Sequence, residues 1–123
     1  MGDMTKNFSR KEFACKGTNC CGHSAPISPL LIDALEKLRA IVGKPLVINS
    51  GFRCKTHNAK IGGAVDSRHT FGDAADVKTP SELTDEQFAK LAEQVEAFRT
   101  GGIGIYSGRV HLDVRKIRAR WNG

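Results

Sequence analysis

The segment from Gly102 to Arg115 restricts the fold of this chain more than any other part of the sequence. It reads Gly-Ile-Gly-Ile-Tyr, then Ser-Gly, then Arg-Val-His-Leu-Asp-Val-Arg, the pattern of two strands joined by a tight turn. Apolar and polar residues alternate strictly in the second strand, so His111 and Asp113 share the face opposite to its valines and leucine. The apolar face predicts a sheet that packs on a core. The polar face is typical of an exposed strand, or of a site that presents an imidazole beside a carboxylate.

Two amphipathic helices are predicted to cover that sheet. The first begins at Ser28, a residue suited to the N-cap, with Pro29 at the first helical position, and it ends at Gly43. The second begins at Thr84, which starts a capping-box pattern, and its apolar stripe continues to Phe98. In both segments the apolar residues recur at intervals of three and four, which places them on one helical face.

Two short apolar runs complete the predicted fold. Residues 45–49 and 74–77 indicate buried strands, and residues 55–72 between them indicate one long loop, a feature that tends to carry function in small domains. We therefore predict a single α+β domain over all 123 residues, with a mainly antiparallel sheet and helices packed on one face. Residues 1–27 would form an irregular, cysteine-containing lead-in, and residues 28–123 the functional core.

The charge balance favours anionic partners. Nineteen Lys and Arg against thirteen Asp and Glu give a net charge of +6, which suits a nucleic acid, an anionic wall polymer or a carboxylate-bearing substrate. The basic excess lies between residues 109 and 120, a run that is either a solvated surface or part of a binding site. With one Trp and one Tyr the chain has no aromatic array for base stacking, so we expect no nucleic-acid partner. No apolar stretch approaches ~18 residues, so we expect no membrane insertion.

Residues 67–76 read Ser-Arg-His-Thr-Phe-Gly-Asp-Ala-Ala-Asp and carry two candidate metal ligands. His69 lies in the predicted loop and Asp76 in the strand that follows, and the small residues between them allow the backbone to bring the two together. His111 from the hairpin completes a His, Asp, His set. Three protein ligands that leave one position open for water are the composition of a catalytic zinc site.

These motifs resemble those of a known family. The segment 67–76, in which six residues separate His69 from Asp76, is similar to the motif of zinc D-Ala-D-Ala carboxypeptidases. These are peptidoglycan metallopeptidases that share their zinc site with lysostaphin-type enzymes and the hedgehog domain. Val-His-Leu-Asp-Val at 110–114 resembles the strand that carries the family's third ligand, and Ser-Gly-Phe-Arg at 50–53 resembles its substrate-binding segment. The resemblance covers nearly the whole chain.

The resemblance implies a hedgehog-like fold and a zinc peptidase that hydrolyses peptidoglycan stem peptides, either a D-Ala-D-Ala carboxypeptidase or a related endolysin-like enzyme. It implies that Zn²⁺ is held by His69, Asp76 and His111. It also implies that Arg53 grips a substrate carboxylate and that Ser67 contacts the substrate. Zinc can lower the pKa of its bound water to about 7, which suits peptide hydrolysis. We expect the chain to work as a monomer.

Arg53 has two possible roles. It follows the turn that leaves the predicted strand at 45–49, so a buried element anchors it while its guanidinium can reach a cleft lined by the loop. A carboxylate held there by a bidentate fork would set the distance from the peptide end to the metal, and so select the bond that is cleaved. The structural alternative is an ion pair with Asp66 or Asp73.

One position departs from the family pattern. Many members carry a glutamate or another base three residues before the third ligand, where this chain has Gly108. Glycine carries no proton, so the base must come from elsewhere, or the chain is a zinc- or peptide-binding module that does not cleave. Asp113 is the candidate catalytic base because it shares a strand face with His111. Its alternative role is to orient that ligand or to pair with Arg115.

The four cysteines are compatible with three states. The first is a structural zinc site formed by Cys15, Cys20 and Cys21 with Cys54 or His23, although their spacing is not the CxxC of common zinc motifs. A disulfide is the second and reduced thiols in the lead-in are the third. The sequence favours the reduced thiols, because cytosolic cysteines usually remain reduced.

The N-terminal segment bears on location. The residues up to Phe13 are polar and lack the apolar core of a secretory signal, so we expect the chain to be made and folded in a cytoplasm. The implied substrate lies outside the cytoplasmic membrane. Release through a membrane pore during phage lysis would bring such a protein to the cell wall.

Overall fold

The computed structural model describes residues 5–17, 20–23, 25–64 and 67–123. Within these ranges the chain forms four helices, two short 3₁₀ turns and five strands. In chain order they are a 3₁₀ turn at Arg10–Phe13, α1 at Pro29–Val42, β1 at Ile48–Ser50, α2 at Lys55–Lys60, a second 3₁₀ turn at Arg68–Phe71, β2 at Ala74–Lys78, α3 at Asp85–Ala92, α4 at Glu96–Arg99, β3 at Gly102–Tyr106, β4 at Arg109–Asp113 and β5 at Ala119–Asn122.

The five strands form one sheet in the order β1-β2-β4-β3-β5. Neighbouring strands are antiparallel except β3 and β5, which run parallel. The helices α1, α3 and α4 pack together on one face of the sheet. The predicted α+β class, with a mainly antiparallel sheet and helices on one face, is therefore confirmed.

The hydrophobic core lies between those helices and the sheet. Its large buried side chains come from α1, from α3 and α4, and from the apolar face of β3 and β4: Leu31, Leu35, Leu38, Phe88, Phe98, Ile103, Val110 and Leu112. Phe8 and Phe13 from the lead-in are buried in the same cluster, so the N-terminal segment contributes to the core. None of the described helices is both long enough and apolar enough to span a membrane.

The ends of the two predicted helices follow their sequence signals. Ser28 occupies the N-cap of α1 and Pro29 its first turn, although the Ser28 hydroxyl makes no capping hydrogen bond to a described residue. Gly43 ends α1 in the left-handed conformation, with φ 75°, and its N–H donates to the Arg39 carbonyl at 2.8 Å. Thr84 starts α3 through the predicted capping box.

Two predicted segments have a different internal structure. The loop predicted at 55–72 contains α2 and a 3₁₀ turn; Cys54 caps α2 by accepting the His57 N–H, a role that cysteine does not signal in a sequence. The helix predicted from Thr84 to Phe98 ends at Ala92 and resumes as α4. Its apolar stripe nevertheless stays buried, which is why periodicity alone predicts one continuous helix.

The strand β5 is absent from the sequence prediction. It belongs to the basic C-terminal run, and its parallel pairing with β3 is a contact between segments that no local pattern signals. Arg120 explains part of its stability, because its guanidinium binds Glu93 at 2.7 and 2.9 Å and also donates to the carbonyl oxygen of Gly101. This arginine therefore lies in a structural network and not on a solvated surface.

The sheet face opposite to the helices carries the polar residues of the strands. Asp76, His111, Gly104 and Trp121 form one row across four neighbouring strands, each the direct partner of the next. The middle of this face is buried: His111 is 6% exposed and Asp113, in an adjacent row, is 0% exposed. The alternation of β4 therefore separates a hydrophobic core from a second, polar interior.

Candidate metal centre

Three elements bring His69, Asp76 and His111 together. Asp76 on β2 and His111 on β4 are direct cross-strand partners, and His69 lies on the 3₁₀ turn immediately before β2. Gly72 ends that turn with φ 74° and directs the chain into the strand; a Cβ there would lie 1.9 Å from the Pro26 carbonyl oxygen, so only glycine fits. The ligand atoms of the three side chains all lie within 4.8 Å of one another.

The distances among these atoms match a tetrahedral metal site. Asp76 Oδ1 lies 3.2 Å from His69 Nε2 and 3.2 Å from His111 Nδ1. Zinc binds imidazole nitrogen and carboxylate oxygen at about 2.0–2.2 Å, so two ligands at a tetrahedral angle are separated by about 3.3 Å. Asp76 thus already has the spacing from each imidazole that a bound zinc ion requires.

The outer nitrogen of each imidazole determines which nitrogen faces the centre. His69 Nδ1 lies 2.7 Å from the Gly51 carbonyl oxygen, which can only accept, so Nδ1 carries the proton. His111 Nε2 lies 2.8 Å from Asp113 Oδ2 and donates to that carboxylate in the same way. When the rings are neutral, the nitrogens that face Asp76, His69 Nε2 and His111 Nδ1, therefore carry a lone pair and no proton. With neutral rings, these nitrogens and the Asp76 carboxylate place three acceptors around one point, which either a proton or a metal cation can satisfy, and two nitrogens with one oxygen suit zinc.

The electrostatics of this group also favour a cation. Burial works against ionisation of Asp76, but hydrogen bonds to His111 and His69 outweigh it and hold the pKa of the carboxyl well below its usual range. Burial likewise works against the charged form of His111, but hydrogen bonds to Asp113 and Asp76 prevail and raise its pKa. The ionised Asp76 carboxylate, beside an imidazole whose charged form is favoured, thus makes this a place that accommodates positive charge.

Asp113 is completely buried behind His111. Besides His111 Nε2, its carboxylate accepts Arg115 Nη2 at 2.7 Å and the Gly102 N–H at 2.8 Å. Gly102 leaves the necessary space, since a Cβ there would lie 2.3 Å from Asp113 Oδ2. Of the two roles that the sequence leaves open, this geometry matches the one in which Asp113 orients His111 and pairs with Arg115.

Arg53 and Ser67 lie together beside the centre. Arg53 Nη2 donates to Ser67 Oγ at 3.3 Å, and the same oxygen accepts a backbone N–H of the 3₁₀ turn that follows. Arg53 Nε is buried and has no hydrogen-bond partner among the residues that the structure describes, and burial lowers the pKa of this guanidinium. Asp73 is engaged with Arg68, whose Nε donates to it at 3.1 Å, while Asp66 lies outside the described residues. Asp73 therefore does not pair with Arg53, and Arg53 Nε can donate to a ligand.

The three candidate metal ligands, Arg53 and Ser67 line one cleft of about 710 Å³, a size suited to a peptide end or another small ligand. Four arginines border it, and Asp76 is the one acidic residue among its described lining residues. A cleft with this charge attracts carboxylate-bearing ligands. The described lining consists of Arg53, Ile61, Gly62, Gly63, Ala64, Ser67, Arg68, His69, Asp76, Tyr106, Arg109, His111, Arg115 and Trp121.

Comparison with known proteins identifies the family. The family model described as Peptidase M15 matches residues 6–113 of this chain. The chain belongs to the Peptidase M15 family. A stretch of 49 residues is also 45% identical to the zinc D-Ala-D-Ala carboxypeptidase of Streptomyces albus G; the match covers 39% of this chain and 19% of that protein. The chain thus matches about a fifth of the length of that relative, and the family resemblance seen in the sequence is confirmed.

The M15 centre of this chain has an aromatic wall that the sequence analysis misses. Trp121 packs against His111 with ring centroids 4.9 Å apart, and its Nε1 donates to the Tyr106 hydroxyl at 2.7 Å. The guanidinium of Arg115 lies 5.2 Å from the centre of the indole ring. Gly104 makes room for the ring, since a Cβ there would lie 2.3 Å from Trp121 Cε2. The available signal is the pair of glycines on one face of β3, which marks a place where large neighbours approach the backbone.

Gly108, at the position where many M15 members carry a base, lies in the turn between β3 and β4. Its φ of 82° is a conformation that glycine adopts readily, so this residue serves the hairpin. Its N–H donates to Asp85 at 3.2 Å. Among the described residues of the cleft no carboxylate other than Asp76 is present to replace the family's base.

The remaining histidines and the cysteines lie outside the M15 centre. His23 Nδ1 is 2.8 Å from the Cys15 carbonyl oxygen, and the His57 N–H is directed at Cys54 Sγ. None of the four cysteines is in a disulfide. Their sulfurs nevertheless form a compact cluster in which every pair lies within 4.8 Å: Cys15, Cys20, Cys21 and Cys54.

Proposed function

We propose that this chain is a zinc peptidase that hydrolyses peptidoglycan stem peptides, as a D-Ala-D-Ala carboxypeptidase or a related endolysin-like peptidase. The observation that carries the proposal is the convergence of two imidazole lone pairs and one carboxylate beside an arginine-lined cleft. Membership of the Peptidase M15 family and the partial similarity to a zinc D-Ala-D-Ala carboxypeptidase support both the metal and the reaction class.

His69, Asp76 and His111 would hold the zinc ion. When bound with three protein ligands, zinc supplies a Lewis acid and lowers the pKa of water to about 7. The protein's own part is to keep both imidazoles in the tautomer that presents a lone pair to the metal. The Gly51 carbonyl does so for His69, and Asp113 does so for His111.

Arg53 would bind the carboxylate of the substrate. Its guanidinium is half buried, and Ser67 holds it through one nitrogen while Nε has no described partner. Partial burial strengthens a charge-assisted hydrogen bond, and the planar fork suits a carboxylate. A peptide end fixed at Arg53 is held at a set distance from the metal ligands, which selects the bond to be cleaved. Ser67 is placed to contact the same end of the substrate.

Asp113 would act through His111 and not on the substrate. Its carboxylate is completely buried and accepts donors from Arg115 and Gly102 as well as from the imidazole. A group in this position fixes the ring orientation and raises the basicity of the ligand. It therefore belongs to the metal centre as a positioning residue.

A non-catalytic module of the same fold is the second candidate. Gly108 stands where a base is usual, and the described residues of the cleft offer no carboxylate besides Asp76. Such a module would hold zinc and bind a stem peptide through Arg53 without hydrolysing it.

The proposed substrate places the action of the protein at the cell wall. A chain made in the cytoplasm would reach the wall by phage-type release during lysis. The protein would act there as a monomer.

Metal analysis combined with muropeptide cleavage tests the proposal. Zinc-loaded protein is incubated with muropeptides that end in D-Ala-D-Ala, and the products are identified by mass spectrometry. Release of the terminal D-Ala, or an internal cut in the stem peptide, is expected; a chelator and His111→Ala should each abolish it. Peptide binding by calorimetry with no cleavage by the zinc-loaded protein would favour the module and refute the peptidase.

A further inference from the structure

The four cysteines form a second candidate metal site that is separate from the His69, Asp76 and His111 centre. Two segments distant in sequence supply them, the lead-in with Cys15, Cys20 and Cys21, and the residue before α2, Cys54. Cys15 Sγ lies 4.0 Å from Cys20 Sγ and 3.8 Å from Cys54 Sγ, and Cys20 Sγ lies 3.9 Å from Cys21 Sγ.

These distances match a tetrahedron of sulfurs around one ion. Zinc binds thiolate at about 2.3 Å, so the edge of an ideal tetrahedron is about 3.8 Å. A disulfide requires about 2.05 Å between two sulfurs, and no pair is in that state. Four sulfur ligands in tetrahedral geometry are typical of zinc or of iron–sulfur sites, and a closed set of four is typical of structural zinc.

The backbone around the sulfurs is shaped to hold them. Gly17 passes so close that a Cβ there would lie 2.8 Å from both Cys20 Sγ and His57 Cβ. The His57 N–H donates to Cys54 Sγ at 3.4 Å, a hydrogen bond that favours a thiolate. Beyond Cys20 the chain turns back through Gly22 and His23, both with positive φ, and for His23 this is an uncommon conformation. The described residues beside the thiols thus adopt a constrained backbone conformation.

We propose that Cys15, Cys20, Cys21 and Cys54 bind a structural Zn²⁺ ion that ties the lead-in to the start of α2. Binding exchanges the thiol protons, which leave to solvent, for four sulfur–zinc bonds and involves no redox step. The proposal does not depend on the peptidase activity proposed above, since it concerns different residues.

The position of this site gives it a consequence for the M15 centre. Near Cys15, the Phe13 carbonyl accepts the Phe52 N–H at 2.8 Å, and a Cβ on Gly51 would lie 2.6 Å from Phe13 Cα. Gly51 in turn accepts His69 Nδ1, and Arg53, adjacent to Cys54, donates its N–H to the His69 carbonyl at 3.1 Å. A zinc ion on the cysteines would therefore hold in place the segment that orients one metal ligand and carries the proposed carboxylate-binding arginine.

Metal stoichiometry separates the two sites. Protein purified in the presence of a thiol reductant is expected to contain two zinc ions per chain, measured by mass spectrometry of the metal. The double variant His69→Ala/His111→Ala should retain one, and adding Cys20→Ser to it should leave none. One zinc in the parent with none in the double variant would overturn the proposal, as would iron in place of zinc.

Cobalt substitution keeps the test valid if the cysteine variant fails to fold. Co²⁺ bound to the His69→Ala/His111→Ala protein should show thiolate-to-metal charge-transfer absorption, together with the strong visible bands of a tetrahedral site. Absence of those bands, with four thiols that react freely with a disulfide reagent, would refute the site. Two disulfides found by peptide mapping of the protein purified under reductant would refute it as well.

Discussion

Replacing Asp113 with asparagine tests whether this carboxylate acts through His111. The substitution preserves the size of a completely buried side chain and converts one acceptor oxygen into a donor. Oδ1 accepts the Gly102 N–H at 2.8 Å and the Arg115 N–H at 3.1 Å, so the asparagine oxygen is expected to occupy that position. The NH₂ group then faces His111 Nε2, where the parent has an acceptor at 2.8 Å.

The expected consequence is a change of tautomer. Two donors cannot satisfy each other, so the imidazole proton should move from Nε2 to Nδ1, the nitrogen that lies 3.2 Å from Asp76 and faces the metal position. A protonated nitrogen does not ligate. Loss of an outer partner of a ligating histidine lowers metal affinity about 10–100-fold, or about 1.4–2.7 kcal/mol. We expect the zinc Kd of Asp113→Asn to rise by about that factor.

The measurement is a zinc titration of each protein against a chromophoric chelator at one fixed pH. Asp33→Asn is the matched control, because Asp33 lies on the exposed face of α1 and pairs with Lys37 at the surface. Such pairs contribute little to stability, so the control should bind zinc as the parent does. Circular dichroism of both variants verifies that the fold is kept.

The opposite pattern would refute the tautomer argument. If Asp113 is the general base, Asp113→Asn keeps the zinc Kd of the parent while kcat falls about 10²–10⁴-fold, the usual contribution of acid–base catalysis. An unchanged Kd and an unchanged kcat together would remove Asp113 from the metal centre altogether.

Three further outcomes are expected. Arg53→Lys keeps the charge but loses the fork, so its kcat/KM on free-acid peptides should fall about 10–100-fold. Its kcat/KM on amidated peptides should change little, and so should the kcat/KM of the exposed control Arg99→Lys on free-acid peptides. Equal cleavage of amidated and free-acid peptides by the parent would contradict this. Gly104→Ala should push the indole of Trp121 away from His111 and lower the free energy of unfolding in urea by about 1–3 kcal/mol. The fluorescence of Trp121, the one tryptophan of the chain, should change as well, and an unaltered spectrum would contradict the prediction. In the metal-free protein the pKa of His111 is raised above its unfolded value of 6.5, so its charge stabilises the fold below that pH and the stabilisation is lost as pH rises through the folded pKa. The free energy of unfolding should therefore be lower at about pH 8 than at about pH 6. Saturating zinc should reverse this trend.

The parts of the fold that the sequence predicts are those set by local chemistry. Pro29 and Gly43 bound α1 because a missing N–H and a left-handed φ are properties of single residues. The hairpin is predicted because its alternation and its Ser-Gly turn lie within one short segment. β5 and α2 have no such signal: β5 depends on a distant parallel partner, and α2 depends on Cys54 as its cap.

The candidate site divides in the same way. His69, Asp76 and His111 are found from their residue types and motif, and the structure brings all three to one point. Trp121 is missed because its role depends on β5 reaching β3. The state of the cysteines is left open for the same reason: Cys54 approaches the lead-in only in the folded chain, and spacing along the sequence carries no information about that distance.

The polar interior is the feature that sequence pattern describes least well, because its alternation is the same as that of an exposed strand. β4 differs from an exposed strand because other residues cover its polar face. Trp121 packs on His111, and Arg115 binds Asp113. A buried polar face is stable only if each group has a partner, and here Asp113 binds Arg115 while the imidazoles bind acceptors on their outer sides. That packing needs space, which the glycines on the neighbouring strand β3 provide by having no side chain on this face. Glycines at alternate positions of a strand, beside a strand that carries histidine and aspartate, are therefore the sequence pattern that separates a buried site from a solvated face.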